Sequence, residues 1–369
     1  MDTKHILMIT HDFYPEISPR SFRATELAKE FAREGQEVTV LTKYRDEREY
    51  AGLPFRDKMN IKSFGKLRFP EVKISSKKYL HWPSRVARRL LQLLFEYPAI
   101  EMMFKVKRAL RNESGYDLLI SIAVPYPIHW GVAWARTAKH PIAMRWVADC
   151  GDPYYGQEND SFRVMRHFKV VEKWFSRKAD YLSVPTPSAI DGYFPEFRDK
   201  IRIIPQGFQF QDANKGSSFH RTSRPKFAYG GGFIKGRRDP GEFLTYLLNL
   251  NEDFEFHIYT SHSEFVDDAA ARSGGRIICH DIIPRLQFLS NLSTMDFVVN
   301  FENGGAVQTP SKLIDYAIVN KPILSIKTGG LDTENVDRFL RGDYSGQYEV
   351  DNLDQYRIEN VCKQFLDLI

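Results

Sequence analysis

The sequence predicts an α/β protein made of two halves, each a repeat of strand and helix. Three observations carry this. The chain opens on a strand–helix–strand unit, and the same alternation restarts after a polar stretch at 211–225. At 369 residues the chain also exceeds the roughly 250–300 at which a single core stops growing.

The opening unit is the clearest. Residues 6–10 are an apolar run of strand length, and 11–20 form a loop containing Pro15 and Pro19. Residues 21–34 have helical periodicity, with Leu27, Phe31, Ala24, Ala28 and Ala32 on one face. Gly35 ends that helix, since a residue without Cβ tolerates the left-handed conformation. Residues 38–42 are a second apolar strand, and the βαβ unit so formed implies a parallel sheet. Further strands are expected at 117–122, 142–148, 181–184 and 201–204, with a helix at 161–178. Residues 211–225 are polar, carry Gly and Ser and show no apolar period, so they read as a linker. Beyond it, strands at 226–230, 254–260, 277–278, 297–300 and 322–325 alternate with helices at 240–250, 284–293 and 311–319, and a helix near 353–368 ends the chain. The expected organisation is a first Rossmann-like domain at 1–210, a linker at 211–225, a second at 226–350 and a terminal helix at 351–369. Open parallel sheets bind ligands at the carboxyl ends of their strands, so the two halves are expected to face each other across a ligand cleft.

Composition narrows the class. The apolar fraction of 43% and the charged fraction of 27% are those of a soluble globular protein. Cys150, Cys279 and Cys362 are odd in number and widely spaced, which makes neither a metal-spaced pair nor a disulfide framework. The N-terminus has no signal-peptide pattern. The stretch 90–104 is short and interrupted by Glu96, Pro98 and Glu101, so it is no spanning segment, and a cytoplasmic location is expected. No HExxH, CxxC, GxSxG or P-loop occurs, and no metal site is expected. Charge is uneven. Residues 56–111 hold fifteen Lys/Arg against four Asp/Glu, a net +11, which leaves −6 for the rest of a chain whose formal total is +5. Phe, Tyr and Trp are interleaved there. A solvated helical face would account for the pattern. The functional alternative, preferred here, is docking on an anionic membrane surface. No nucleic-acid module accompanies the charge, so no nucleic-acid partner is expected.

Candidate chemistry lies at strand ends. Tyr229-Gly230-Gly231-Gly232 follows the first strand of the second half, with Lys235, Arg237 and Arg238 next and a helix start near Asp239-Pro240. Gly231 and Gly232 let a backbone approach a phosphate, and Lys235 and Arg238 add charge-assisted bonds. A flexible turn with surface cations is the plainer alternative. A second such loop runs through 304–310 into a helix opened by Pro310, Ser311 and Lys312. Asp315, one turn on, is suited to a ribose diol or, more simply, to the positive helix end. Two phosphate-type loops in one half point to a nucleotide diphosphate. In the first half, Asp12, Glu16, Arg20 and Arg23 sit in the loop after the first strand and are the candidate acceptor-binding residues. Asp149 and Asp152 follow a later strand and are candidate catalytic acids, as base or hydroxyl ligand, with Arg238 the candidate catalytic cation. A capping or turn carboxylate is the competing role for both. His129 reads as a satisfied structural histidine on an apolar helix.

These residues resemble the family 4 retaining glycosyltransferases, which have the GT-B fold. The segment ILMITHDFYPEISPRSFRATELAKEFAREGQEVTVLT at 6–42 resembles that family's opening. Ile203-Ile204-Pro205-Gln206-Gly207-Phe208 resembles its crossover between domains, and TPSKLIDYAIVNKPIL at 309–324 resembles its PSKL segment. The matches are collinear over both halves. The resemblance implies a nucleotide sugar as donor substrate, with Ser311 and Lys312 on its diphosphate, Asp315 in place of a ribose-binding Glu, and Gly232 with Lys235 or Arg238 at the diphosphate. It implies transfer to a glycan or lipid-linked acceptor without a cofactor or metal, because fixed cations and a helix start neutralise the leaving diphosphate. The chain departs from the pattern in three places. Val307 stands where the family has a Glu near the donor sugar, which Glu302 or Asn303 would have to replace. Asp315 shortens the ribose contact by one methylene. The usual glycine-rich first loop is Ile17-Ser18-Pro19-Arg20. An inactive GT-B binding or scaffold protein and a GT-B nucleotide-sugar epimerase are the alternatives these departures keep open.

Overall fold

A computed structural model describes residues 2–70, 78–156, 164–210, 224–302, 311–350 and 352–369. The chain forms two compact units, Met1–Phe208 with Gln355–Ile369, and Gln209–Asp354. Most of the expected linker, 211–223, lies outside the described residues.

The first unit holds β1 (His5–Thr10), α1 (Pro19–Arg33), β2 (Glu37–Thr42), β3 (Met59–Ser63), α2 (Lys78–Phe95), α3 (Glu101–Ala109), β4 (Tyr116–Ile122), α4 (Pro127–Ala135), β5 (Ala143–Asp149), α5 (Arg166–Lys178), β6 (Tyr181–Val184) and β7 (Ile201–Ile203). Its strands make one parallel sheet in the order β3-β2-β1-β4-β5-β6-β7. Both faces are covered, which is why the central strands are continuous apolar runs rather than alternating ones. Leu7, Ile9 and Leu119 pack on one side with Val106, Trp130 and Phe175. Ile6, Met8, Val38 and Val40 pack on the other with Leu27 and Phe31.

The second unit holds β8 (Lys226–Gly230), α6 (Gly241–Asn249), β9 (Glu255–Tyr259), α7 (Asp267–Arg272), β10 (Ile277–His280), α8 (Arg285–Ser293), β11 (Phe297–Phe301), α9 (Ser311–Ile318), β12 (Ile323–Ile326) and α10 (Thr333–Leu340). Its parallel sheet runs β10-β9-β8-β11-β12. Phe227 anchors its core, stacked on Phe256 and Phe297 at centroid distances of 4.7 and 4.5 Å. In each sheet the strand order reverses beside the first strand of the unit, between β1 and β4 and between β8 and β11. Ligand sites of such sheets form at the carboxyl ends there.

The terminal helix, α11 (Ile358–Leu366), belongs to the first unit. Val361 and Phe365 pack in the core beside Leu27 and Phe31 of α1. Phe208 is tied to its start by Phe208 N–H to Tyr356 O at 2.8 Å and Ile358 N–H to Phe208 O at 3.0 Å. Gly207 permits this, since a Cβ there would lie 2.4 Å from Ile358 Cδ1. Local differences from the sequence reading have local causes. α1 begins at Pro19 rather than 21, because Ser18 is its N-cap, accepting from Ser21 N–H, and Pro19 fills the first turn. β3 was not expected. It is an edge strand whose sequence, MNIKS, has no apolar run. Among the described residues no helix is long and apolar enough to cross a membrane.

Candidate active site

At the carboxyl end of β5, Asp149 is 2% exposed and Arg23 is 4% exposed. Arg23 Nε and Nη2 donate to the two Asp149 oxygens at 2.5 and 2.7 Å, and Ser183 Oγ donates to Oδ1 at 2.7 Å. Arg23 also donates to the carbonyls of Pro205 (2.8 Å) and Ile204 (3.1 Å), and its guanidinium lies over the Phe365 ring. Burial alone would raise the Asp149 carboxyl, but the Arg23 charge and these hydrogen bonds hold it below the usual carboxylate range. This corrects two expectations. Asp149 is not free to act as a base and Arg23 is not free to bind an acceptor. The pair is a buried clasp joining α1, β5, β6 and the 204–208 crossover.

The other acids of this unit divide. Asp12 lies 2.6 Å from His11 Nδ1 and accepts from Ser18 Oγ at 2.9 Å, and its carboxyl is held well below its ordinary value, chiefly by the bond to His11. Glu16 pairs with Lys43 and with Arg45, the latter at 2.7 Å. Asp12 is thus knitted into its own loop, and Glu16 into the segment that follows β2. Asp152 and Arg20 remain accessible, their side chains 38% and 21% exposed and 3.3 Å apart. Arg20 crosses Gly151 so closely that a Cβ there would meet its guanidinium. His129 is fully buried. Trp146 Nε1 donates to Ser121 Oγ at 2.8 Å, Ser121 Oγ lies 2.8 Å from His129 Nδ1, and His129 Nε2 is 3.5 Å from Cys150 Sγ. Burial holds His129 down to about 3, so it is a neutral structural residue.

In the second unit, the residues after β8 gather around one point. Gly231 has φ +143°, a conformation that side-chain residues rarely adopt, and its N–H bonds Tyr259 O at 3.0 Å. A Cβ on Gly232 would come within 3.1 Å of the His262 ring. Lys312, in the first turn of α9, donates from Nζ to Tyr229 Oη at 3.3 Å, and Nζ stands 4.3 Å from the centre of the Tyr229 ring. Burial, with the Arg238 charge beside it, pushes the Lys312 ammonium down to about 7. Arg238 Nε is buried without a hydrogen-bond partner. Among the described residues no carboxylate pairs with either cation. Two partly buried cations sharing a glycine turn, without a counter-ion, form a site electrostatically prepared for an anion.

The remaining donor-side residues fall as follows. Lys235 is exposed on the turn that Ile234 and Arg238 close. At the start of α6, Asp239 Oδ1 accepts Gly241 N–H at 3.0 Å, so one of that helix's first-turn N–H groups is already taken. Ser311 opens α9, whereas Pro310, Val307 and Asn303 lie outside the described residues. Glu302 directly follows β11 and accepts from Ser325 Oγ at 3.0 Å. Asp315 is partly buried, and Arg285 Nε and Nη2 both bond its Oδ1, at 2.9 and 2.7 Å. Burial raises its carboxyl although Arg285 opposes this. Sequence reasoning missed Tyr229, Arg285 and Tyr316, whose Oη accepts Gly230 N–H at 3.0 Å. Tyr229 stood beside the glycines, but nothing in the sequence paired it with a lysine 83 residues on.

A family model described as a glycosyl transferase 4-like domain matches residues 21–207. Curated proteins yield no significant sequence match. Among solved structures, the apo lipopolysaccharide outer core galactosyltransferase WaaB is similar at 11% identity and a TM-score of 0.58, covering 99% of this chain and 98% of its own. HepE of Anabaena, solved with UDP and glucose, is similar at 10% identity and TM-score 0.56, covering 99% and 98%. TarM is similar at 10% identity and TM-score 0.64, covering 100% and 99%. At such identities the likeness carries the fold, and it extends over both units. The family match spans half of the chain, and with two parallel α/β units in the GT-B pattern it makes this protein a member of the glycosyl transferase 4-like family, a GT-B glycosyltransferase.

Proposed function

We propose that the chain moves a sugar from a nucleotide-diphosphate sugar to a glycan or lipid-linked acceptor, in the synthesis of a surface polysaccharide or glycoconjugate. The observation that carries this is the anion site of the second unit, where Lys312 and Arg238 meet Gly231 and Gly232 without an acidic partner among the described residues. A diphosphate supplies the missing charge, and the start of α9 at Ser311 presents the N–H groups of a helix's first turn. HepE, a similar structure, was solved with UDP and glucose, which supports a nucleotide donor. In this reading Asp315 takes the ribose diol through Oδ2, the oxygen that Arg285 leaves open. Lys235 is a peripheral cation, and Asp152 with Arg20 is the accessible polar pair for an acceptor hydroxyl.

The chemistry follows from the charges. The bond from the anomeric carbon to the diphosphate oxygen breaks, and Lys312 and Arg238 stabilise the departing anion, so no metal is required. The acceptor oxygen bonds the anomeric carbon and its proton passes to the departing phosphate, giving retention. The test is release of nucleoside diphosphate from UDP-, GDP- and ADP-sugars with a glycan or lipid acceptor, with and without EDTA. Acceptor-dependent release that persists in EDTA is expected. Conversion of a donor into its sugar epimer without acceptor would favour epimerase chemistry, and no turnover of any donor would favour the scaffold reading.

Two further results are expected. Asp315→Asn should weaken nucleotide-sugar binding about tenfold, the worth of a charge-assisted hydrogen bond. It should also lower the melting temperature measurably, because Arg285 loses its ionic partner at a partly buried position. Equal nucleotide affinity in parent and variant would count against the ribose role. The 56–111 region is read as a peripheral anchor at the inner face of the membrane. In α2 none of the described side chains from 84 to 95 is buried, and Arg88, Leu90, Leu94 and Phe95 are exposed. Reversing the charge of Lys77 (outside the described residues), Lys78, Arg88 and Arg89 should release the protein from anionic vesicles, at about 1 kcal/mol per basic residue. Nucleotide binding should be unchanged. Equal sedimentation with neutral and anionic vesicles would return the region to a solvated face.

A further inference from the structure

An ammonium that is partly buried without a carboxylate needs another partner while the site is empty. Tyr229 is that partner. Its side chain is fully buried in β8, stacked on Phe233 at 4.9 Å and edge-on to Phe301 at 4.9 Å, so ring packing fixes its position. Its hydroxyl donates to Gly232 O at 3.0 Å, and that bond leaves a lone pair for Lys312 Nζ at 3.3 Å. One phenol therefore touches both the glycine turn and the cation of the anion site.

We propose that Tyr229 is a positioning residue for the donor diphosphate, holding the Lys312 ammonium and the Gly232 carbonyl in the arrangement that the incoming anion meets. The inference rests on the diphosphate reading given above. The ring face attracts the cation and the hydroxyl oxygen accepts from it, so both features favour charged Lys312 against the burial that disfavours charge. The other groups near Lys312 act differently. Arg238 repels it, and Asp315 on the same helix is turned to Arg285. The His262 ring lies against Gly232. Tyr229→Phe keeps the ring and the packing and removes only the acceptor. The charge on Lys312 should then be lost at a lower pH, and with it the grip on the diphosphate. A residue that merely packed would leave the pH dependence of binding where it was.

The experiment is calorimetric titration of the full chain with UDP-glucose, GDP-mannose and ADP-glucose, whose phosphodiester groups do not titrate from pH about 6 to about 9. In the parent, affinity for the sugar that binds should fall as pH rises through neutrality. In Tyr229→Phe, binding at neutral pH should be weaker by about threefold to tenfold and should fade at a lower pH than in the parent. Lys312→Met should bind weakly with a flat pH profile. If Tyr229→Phe follows the parent at every pH while Lys312→Met loses binding, Tyr229 only packs and the proposal fails, with the diphosphate site intact. If Lys312→Met binds like the parent, or none of the three sugars binds, the diphosphate reading fails and takes this proposal with it.

Discussion

Lys312→Ala is expected to weaken nucleotide-sugar binding by about tenfold to a hundredfold, with Arg238→Ala behaving similarly. A hydrogen bond to a charged group contributes about 1.5–3 kcal/mol, and each 1.4 kcal/mol is a factor of about ten. The effect should depend on pH in a defined direction. The free-state ammonium of Lys312 is held down to about 7 by burial, and a bound diphosphate raises it again by opposing that burial. Below pH about 7 the lysine is already charged and affinity is highest. Above it, binding must take up a proton and affinity declines, by up to tenfold per unit, until the bound-state value is reached. In Lys312→Ala that slope should vanish. The variant should remain folded, since removing a partly buried lysine without a carboxylate leaves no orphaned charge. Unchanged affinity in both variants, measured by calorimetry, would remove the anion site from the account.

Arg23→Leu is expected to destabilise the first unit by about 3–5 kcal/mol, because it strands the Asp149 carboxylate in the core. For a unit of this size that is a fall in melting temperature of about 6–20 °C. The loss should deepen with rising pH. Arg23 is the largest influence holding Asp149 below its ordinary value against burial, so without it the carboxyl rises and is most costly where it would be charged. Asp149→Asn should also lower the melting temperature, which a catalytic base at that position would not require. Replacing both partners by apolar residues should recover part of the loss, since no buried charge is then left unpaired. An Asp149→Asn variant that melts with the parent but has no activity would restore the catalytic role.

The contrast between these two sites explains what could be read in advance. The parallel strands and the opening βαβ unit were legible because their signals are local, as apolar runs and a helical period. The glycine turn after β8 and the PSKL helix start were legible for the same reason, since each is one contiguous stretch. Even the early start of α1 had its signal in Ser18-Pro19, a cap followed by a first-turn proline. What was not legible is partnership. Arg23 and Asp149 are 126 residues apart, so two polar residues expected to face a substrate were spent on each other. Arg285 and Asp315 are 30 residues apart, and nothing at either position announces the pair. The home of α11 was hidden likewise. Its apolar face packs with that of α1, and Gly207 at the crossover allows the start of α11 to come close.

Transfer from a nucleotide sugar by the full chain is the most direct test. Purified protein is incubated with UDP-, GDP- and ADP-sugars and a lipid or glycan acceptor, and nucleoside diphosphate release and glycosylated product are followed together. The expected result is equimolar release and product with one donor class, dependent on acceptor, resistant to EDTA, and lost by at least tenfold in Lys312→Ala. Release that Lys312→Ala and Arg238→Ala leave unchanged, or no product from any donor, would contradict it.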